Sequence, residues 1–171
     1  MTGIRNAALC ALGCLALCGC GTGYAWRSSV PEGMRTVSVP TFRNESELQE
    51  AGAVAARQVL REFQREGTFS IRPSGDAALQ VQGTVVSVGG GIVAYDRRRG
   101  FRLGGHEITV QAKVSVVDKR RGKVIVDNRT YSATATFSSG DDYTTAQRDA
   151  SGRVMEDLAR QIVDDVLLLS F

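Results

Sequence analysis

All four cysteines of the chain, Cys10, Cys14, Cys18 and Cys20, fall within its first twenty residues. Thiols at this density could pair, hold a metal or carry a covalent group. His106 is the sole histidine, so no histidine-rich metal cluster can form, and it reads as a strand-edge residue more readily than as a base. The stretch VGGGIVAYDRRRG is glycine-rich, but it joins two strand patterns, whereas phosphate-cradling loops open a helix. Asp141, Asp142, Asp164 and Asp165 read as capping and surface carboxylates, and no nucleophile stands paired with a base. The chain therefore reads as non-enzymatic, with no cofactor and no metal site. Two basic clusters remain. YDRRRGFR gathers Arg97, Arg98, Arg99 and Arg102 with Tyr95 and Phe101 on a glycine-flanked loop, a mixture that suits phosphate oxygens and apolar chains on one ligand. A plain solvated loop is the equal alternative. In DKRRGK, Lys119, Arg120, Arg121 and Lys123 form a bare charged turn, for which solvation is the favoured reading.

The cysteines find their explanation in the surrounding residues. One positive charge at Arg5, an apolar run from Ala7 to Leu17 and then small residues give the pattern of a secretory signal. The run is shorter than the roughly 20 apolar residues of a membrane-spanning helix. A cleaved signal leaves no thiol behind unless one stands at the cut, and LCGC puts Leu17, Gly19 and Cys20 at the third and first positions before it and the first after it. This resembles a bacterial lipoprotein signal, in which that cysteine becomes a diacylglyceryl thioether and the freed amine is acylated. Cys18 would leave bulky Leu17 directly before the cut, and Cys14 would place Leu12 one position too late. An ordinary secreted protein with a free thiol is the weaker alternative. Two or three acyl chains would make the anchor effectively stable.

Residues 1–19 are thus read as the signal, 20–33 as a lipidated terminus with a short tether, and 34–171 as one domain. The tether is Gly-, Ser- and Pro-punctuated, with Tyr24 and Trp26 as its aromatic residues. Removing Arg5 with the signal leaves 20 basic residues against 18 acidic ones, too balanced a charge for a general nucleic-acid binder.

The elements that must position the basic clusters follow from periodicity. MRTVSVP alternates as a strand ending at Pro40. Asn44 or Ser46 is expected to cap a helix whose core stripe is Leu48, Ala51, Ala55, Val59 and Phe63, stopped by Gly67. TFSIRP is a short strand. Leu79, Val81, Gly83 and Val85 share one face of a longer strand, and Ile108, Val110, Ala112, Val114 and Val116 share one face of the next. After a turn through Gly122, the last strand alternates through Tyr131, Ala133, Ala135 and Phe137, with a bulge expected near Asp127 and Asn128. A long helix closes the chain, capped by Asp141 or Asp142, on a stripe of Ala146, Ala150, Val154, Leu158, Ile162 and Val166. The expected fold is α+β, a two-layer α/β sandwich with two helices on one face of a mostly antiparallel four-stranded sheet, in the order β-α-β-β-β-α. In such a meander the two basic clusters lie at opposite ends of the sheet and cannot form one patch.

Four features together carry a resemblance: the cysteine followed by GTGYAW, the segment VSVPTFRNES before the first helix, FSIRPSGDAALQVQGTV, and the long closing helix. Over nearly the whole chain they resemble the LPS-assembly lipoprotein family LptE, although that family commonly has Cys-Gly-Tyr or Cys-Gly-Phe where this chain inserts Thr22 and Gly23. Val-Pro-x-Phe-x-Asn before a helix also occurs in other periplasmic α/β sandwich lipoproteins, including curli-secretion and cell-wall-synthase activators. The resemblance implies a lipid-anchored protein on the periplasmic side of the outer membrane. It would plug and help assemble an LptD-type outer-membrane β-barrel and assist insertion of lipopolysaccharide into the outer leaflet. Its partners would be that barrel and lipopolysaccharide, with Arg97, Arg98, Arg99, Arg102 and Phe101 as candidate lipopolysaccharide contacts and Cys20 as the lipidated residue. The alternative is an adaptor or activator lipoprotein of another envelope complex.

Overall fold

The computed structural model describes residues 30–96, 102–138 and 143–169. After one 3-10 turn at Glu32–Met34 come β1 (Thr36–Ser38), β2 (Arg43–Asn44), α1 (Ala51–Glu66) and β3 (Ser70–Ile71). The long strands β4 (Leu79–Asp96), β5 (Arg102–Asp118) and β6 (Lys123–Phe137) follow, and then α2 (Tyr143–Leu167). The anticipated alternation holds in β5, where Ile108, Val110, Ala112, Val114 and Val116 are all buried while Gln111 and Lys113 stay exposed. Both helices cover the buried face. Val59 and Phe63 of α1 and Val154, Leu158 and Ile162 of α2 are almost wholly excluded from water. Each such side chain contributes about 1.5–3 kcal/mol by burial.

The sheet corrects the expectation of four mostly antiparallel strands in the order β-α-β-β-β-α. It is a mixed sheet of six strands in the order β3-β1-β4-β5-β6, with β2 beside β4. β1 is parallel to both β3 and β4, and β2 is parallel to β4. Only the β4–β5 and β5–β6 pairs are antiparallel. The physical cause is α1, a helical crossover that returns the chain in its starting direction and so lays β3 parallel to β1. β4 then docks on the other edge of β1.

β1 and β2 are one strand interrupted. Ser38 pairs with Gln80 and Arg43 with Thr84, so five steps on one chain face four on the other, and Pro40, with no amide hydrogen to give, sits in the interruption. The extra residue turns Phe42 into the core, where it is 3% exposed. Its ring lies on Gly83, where a Cβ would stand 2.4 Å from ring carbons, and its carbonyl abuts Gly52 of α1, where a Cβ would stand 2.3 Å from the oxygen. Asn44 then ties down the approach to α1. Its amide donates to the carbonyls of Leu48 (2.7 Å) and Gln49 (3.1 Å), and its Oδ1 accepts from the amide (3.1 Å) and hydroxyl (2.7 Å) of Ser46. Asn44 therefore holds the turn before the helix and does not cap it. The helix begins after Glu50, which makes no side-chain cap, and Leu48, expected in the core stripe, lies in that turn and is 48% exposed. The other end is as expected: Gly67 is left-handed (φ 83°) and its amide donates to Phe63.

The expected bulge is present. Val114 pairs with Arg129 and Val116 with Val126, so Asp127 and Asn128 share the place opposite Ser115. Asn128 has φ 44°, its amide donates to Ser115 Oγ at 2.9 Å, and its side chain donates to Asp127 at 2.9 Å. The stripe of α2 is also found, with Ala150, Val154, Leu158, Ile162 and Val166 buried. Asp141 and Asp142 lie outside the described residues.

The Phe42 contact yields a stability prediction. Gly83→Ala should cost about 1–3 kcal/mol by overpacking, and Phe42→Ala about 3–5 kcal/mol by leaving a cavity. Because both act on one contact, Gly83→Ala combined with Phe42→Ala should cost clearly less than the sum of the two single changes. Chemical denaturation of the wild type and the three variants measures the coupling, and simple additivity would show that the ring does not bear on Gly83.

Candidate functional site

β4 and β5, of 18 and 17 residues, outrun the other elements. β6 ends at Phe137, which pairs with His106, and Tyr143 opens α2 at that same level. The β4–β5 ladder continues past it through Ala94↔Gly105 and Tyr95↔Leu103 to Asp96↔Arg102, with two irregularities in register. β4 and β5 thus form a hairpin that projects beyond the rest of the sheet. Arg102 is the first residue of β5, while Arg97, Arg98, Arg99 and Phe101 lie outside the described residues, as does Cys20. The second basic cluster spans the β5–β6 turn at the far end of the same strands, where Asp118 pairs with Lys123. The two clusters are therefore at opposite ends of the sheet.

At the base of the projecting hairpin lies an open cleft of about 710 Å³ between the sheet, the start of α2 and the turn before α1. Gly89, Gly90 and Gly91 of β4 line it without side chains, and a Cβ at Gly89 or Gly91 would meet nothing within 4 Å. Its walls mix apolar side chains with polar ones, among them Glu107, Thr144, Gln147 and Ser151. Leu48, Ile92 and Tyr143 project into it at 48%, 50% and 44% exposure, with Val88 and Ile108 behind them. Three rings make an aromatic cluster there. His106 stacks on Phe137 at 5.3 Å and meets Tyr143 edge-on at 5.0 Å, and Phe137 and Tyr143 are 5.6 Å apart. His106 is therefore not at a strand edge as expected: β5 is an interior strand, and the imidazole serves as a ring among rings. Glu47 and Arg148 add charge at the rim.

The opposite face of the sheet carries no described helix. It presents Gln82, Gln111, Lys113, Ser132 and Thr134, all exposed, and the Thr109 and Thr134 hydroxyls are 2.9 Å apart across the β5–β6 pair. This face is hydrophilic, and Arg43, Lys113 and Asp127 place charge on it.

One polar tie was missed in the sequence. Asp165 of α2, expected to be a plain surface carboxylate, accepts hydrogen bonds from both the Arg129 guanidinium and the Tyr131 hydroxyl of β6. It pins the last helix to the last strand across a separation that no local pattern signals. Burial, followed by the hydrogen bond to Asp165 and its negative charge, pushes the Tyr131 phenol well above its usual range. Asp165 likewise raises the Arg129 guanidinium through its hydrogen bond and charge.

The fold is a helix-backed mixed sheet with one polar face and an open cleft of mixed polarity, and no group of three His, Cys, Asp or Glu fit for a metal occurs among the described residues. No described helix is long and apolar enough to cross a membrane. The family model described as Lipopolysaccharide-assembly, LptE, matches residues 34–166, and the chain belongs to that family. No curated protein matches the sequence. Solved structures share the fold. A lipoprotein from Caulobacter crescentus has a TM-score of 0.54 at 18% identity, over 79% of this chain and 90% of that one. PelC from Paraburkholderia phytofirmans, a dodecamer, has a TM-score of 0.51 at 18% identity, over 78% and 89%. A Chlamydia trachomatis protein has a TM-score of 0.57 at 14% identity, over 79% and 96%.

The Tyr131–Asp165 bond yields a pH prediction. The folded phenol releases its proton at higher pH than the unfolded one, whose value is about 10. Its contribution is therefore fully present below pH ~10 and is lost as pH rises beyond it. Tyr131→Phe should lower stability at neutral pH by about 0.5–1.5 kcal/mol and flatten the alkaline decline. Thermal melts of both proteins from neutral to strongly alkaline pH test this, and parallel curves would contradict it.

Proposed function

We propose that this chain is an outer-membrane lipoprotein, anchored on the periplasmic side through Cys20 after removal of residues 1–19. Residues 34–171 would act as one domain that plugs an LptD-type β-barrel, helps it assemble and assists insertion of lipopolysaccharide into the outer leaflet. The observation that carries this reading is the bare sheet face, in a chain that belongs to a lipopolysaccharide-assembly family. A half-buried sheet can leave its outer face to water or lend it to a polar partner. Here Gln82, Gln111, Ser132 and Thr134 offer donors and acceptors in place of apolar area, which suits the polar interior of a large outer-membrane barrel.

The projecting hairpin and the cleft at its base supply the lipid side of the reading. Arg97, Arg98, Arg99 and Arg102 would hold phosphate oxygens through charge-assisted hydrogen bonds, with Phe101 beside them. The cleft walls of Leu48, Ile92 and Tyr143 would take an apolar chain of the same ligand. No step of this scheme needs a bond to be made or broken.

Two measurements test it. Photocrosslinkers placed at Gln111 and Thr134 in the living envelope should capture one large outer-membrane barrel, and adducts to a different envelope complex would favour an adaptor role instead. In the lipid arm, each arginine contact should be worth about 1–3 kcal/mol. Replacing Arg97, Arg98, Arg99 and Arg102 by alanine should then abolish lipopolysaccharide binding with little change in melting temperature, and the same change at Lys119, Arg120, Arg121 and Lys123 should lose much less. Equal losses, or none, would overturn the arginine assignment.

A further inference from the structure

The second basic cluster gains a role from the path of the chain beside it. Val30, where the described residues begin, is 1% exposed, and its carbonyl accepts from Arg35 Nε at 3.1 Å. Three residues on, the Arg120 guanidinium lies against Gly33, where a Cβ would stand 2.8 Å from Nη1. The N-terminal segment therefore joins the domain beside the β5–β6 turn. From Cys20 to Val30 are ten residue steps, a reach of at most about 36 Å when fully extended. The 18 residues of β4 carry the arginine hairpin about 55 Å from this end. An anchor on Cys20 can hold the β5–β6 turn at a membrane surface, and in an upright molecule the far end of β4 then stands beyond the tether's reach.

The turn is also built to present charge. Asp118, at its base, is 2% exposed and accepts from the amides of Arg120 (2.9 Å) and Arg121 (3.1 Å), while the Lys119 amide donates to Ala78 at 2.8 Å. With its one carboxylate turned inward to fix the backbone, the turn exposes Lys119, Arg120, Arg121 and Lys123 to the outside. Only Arg121 returns toward Asp118, at a long 3.7 Å. Glu32 is the exposed acid on the adjoining segment, and the four cations outnumber it.

We propose that, before the domain enters its barrel, the β5–β6 turn docks on the anionic phospholipid headgroups of the leaflet that holds the anchor, so that the free molecule stands on this turn with its β4–β5 hairpin pointing away. The proposal rests on lipidation at Cys20. The anchor confines the turn near the surface, which raises its effective concentration there. Each cation close to an anionic surface then favours docking by about fivefold, within a screening length of roughly 8–10 Å.

The lysines provide their own reporters, because the chain has only Lys113, Lys119 and Lys123. Lys113 lies exposed on the bare sheet face, away from the turn. The lipidated full-length product is reconstituted into phosphatidylethanolamine vesicles with and without phosphatidylglycerol, labelled with an amine-acylating reagent and read by mass spectrometry. Lys119 and Lys123 should label several-fold more slowly in the phosphatidylglycerol vesicles, with Lys113 unchanged. High salt, or Arg120→Glu with Arg121→Glu, should remove the protection. Equal labelling in both vesicles overturns the docking, as does equal protection of Lys113, which would mean that the sheet face lies on the bilayer. Flotation and mass spectrometry separate the underlying reading: a wild-type product that fails to float, or that carries no acyl groups on Cys20, overturns the anchor and the docking with it.

Discussion

Everything in this structure is arranged around the place where Phe42 enters the core. The ring needs a flat patch of sheet and finds it at Gly83, and the backbone behind it needs a helix without side-chain bulk and finds it at Gly52. Three segments distant in sequence are thereby set against one another: the interrupted edge strand, the first helix and the first long strand. The interruption at Pro40 adds the residue that turns Phe42 inward, and Asn44 holds the turn that carries the chain on to α1. The segment VPTFRN is thus a piece of architecture. Each of its marked residues has a steric or hydrogen-bonding task, which accounts for its place before the helix without any appeal to a ligand.

From this junction the sheet extends unequally. The helices and β6 stop at the level of His106 and Phe137, while β4 and β5 continue. A ladder that outruns its covering layer must either hide its apolar side or use it. The glycines at 89–91 reduce the apolar area, and the remaining side chains, Leu48, Ile92 and Tyr143, enclose a cleft. The overhang thus creates both a projecting hairpin and a recess of mixed polarity at its base. The other face of the same strands is satisfied by amides and hydroxyls and needs no apolar cover. One sheet consequently offers two surfaces of different chemistry, one suited to a polar wall and the other to a lipid.

The long strands also separate two kinds of positive charge. Arg102 and the β5–β6 turn stand at opposite ends of these strands, and the turn is the end beside the segment that carries Gly33. Strand length and the position of Gly33 against Arg120 distinguish them.

The sequence by itself determined the elements whose signals are local. These are the alternating faces of β4, β5 and β6, the bulge at Asp127 and Asn128, the stop at Gly67, the stripe of α2 and the family resemblance. Each depends on the geometry of one segment or on a pattern within it. Only the tertiary structure decided which strands neighbour which, because the insertion of β1 between β3 and β4 is a matter of crossover direction that no single segment encodes. It removed Leu48 from the helix, because Asn44 binds the turn in place of the helix end. It also brought Asp165 to Arg129 and Tyr131, and His106 to Phe137 and Tyr143. Those contacts join residues dozens of positions apart, and side chains so far separated become neighbours only once packing has chosen the register and the helix position together.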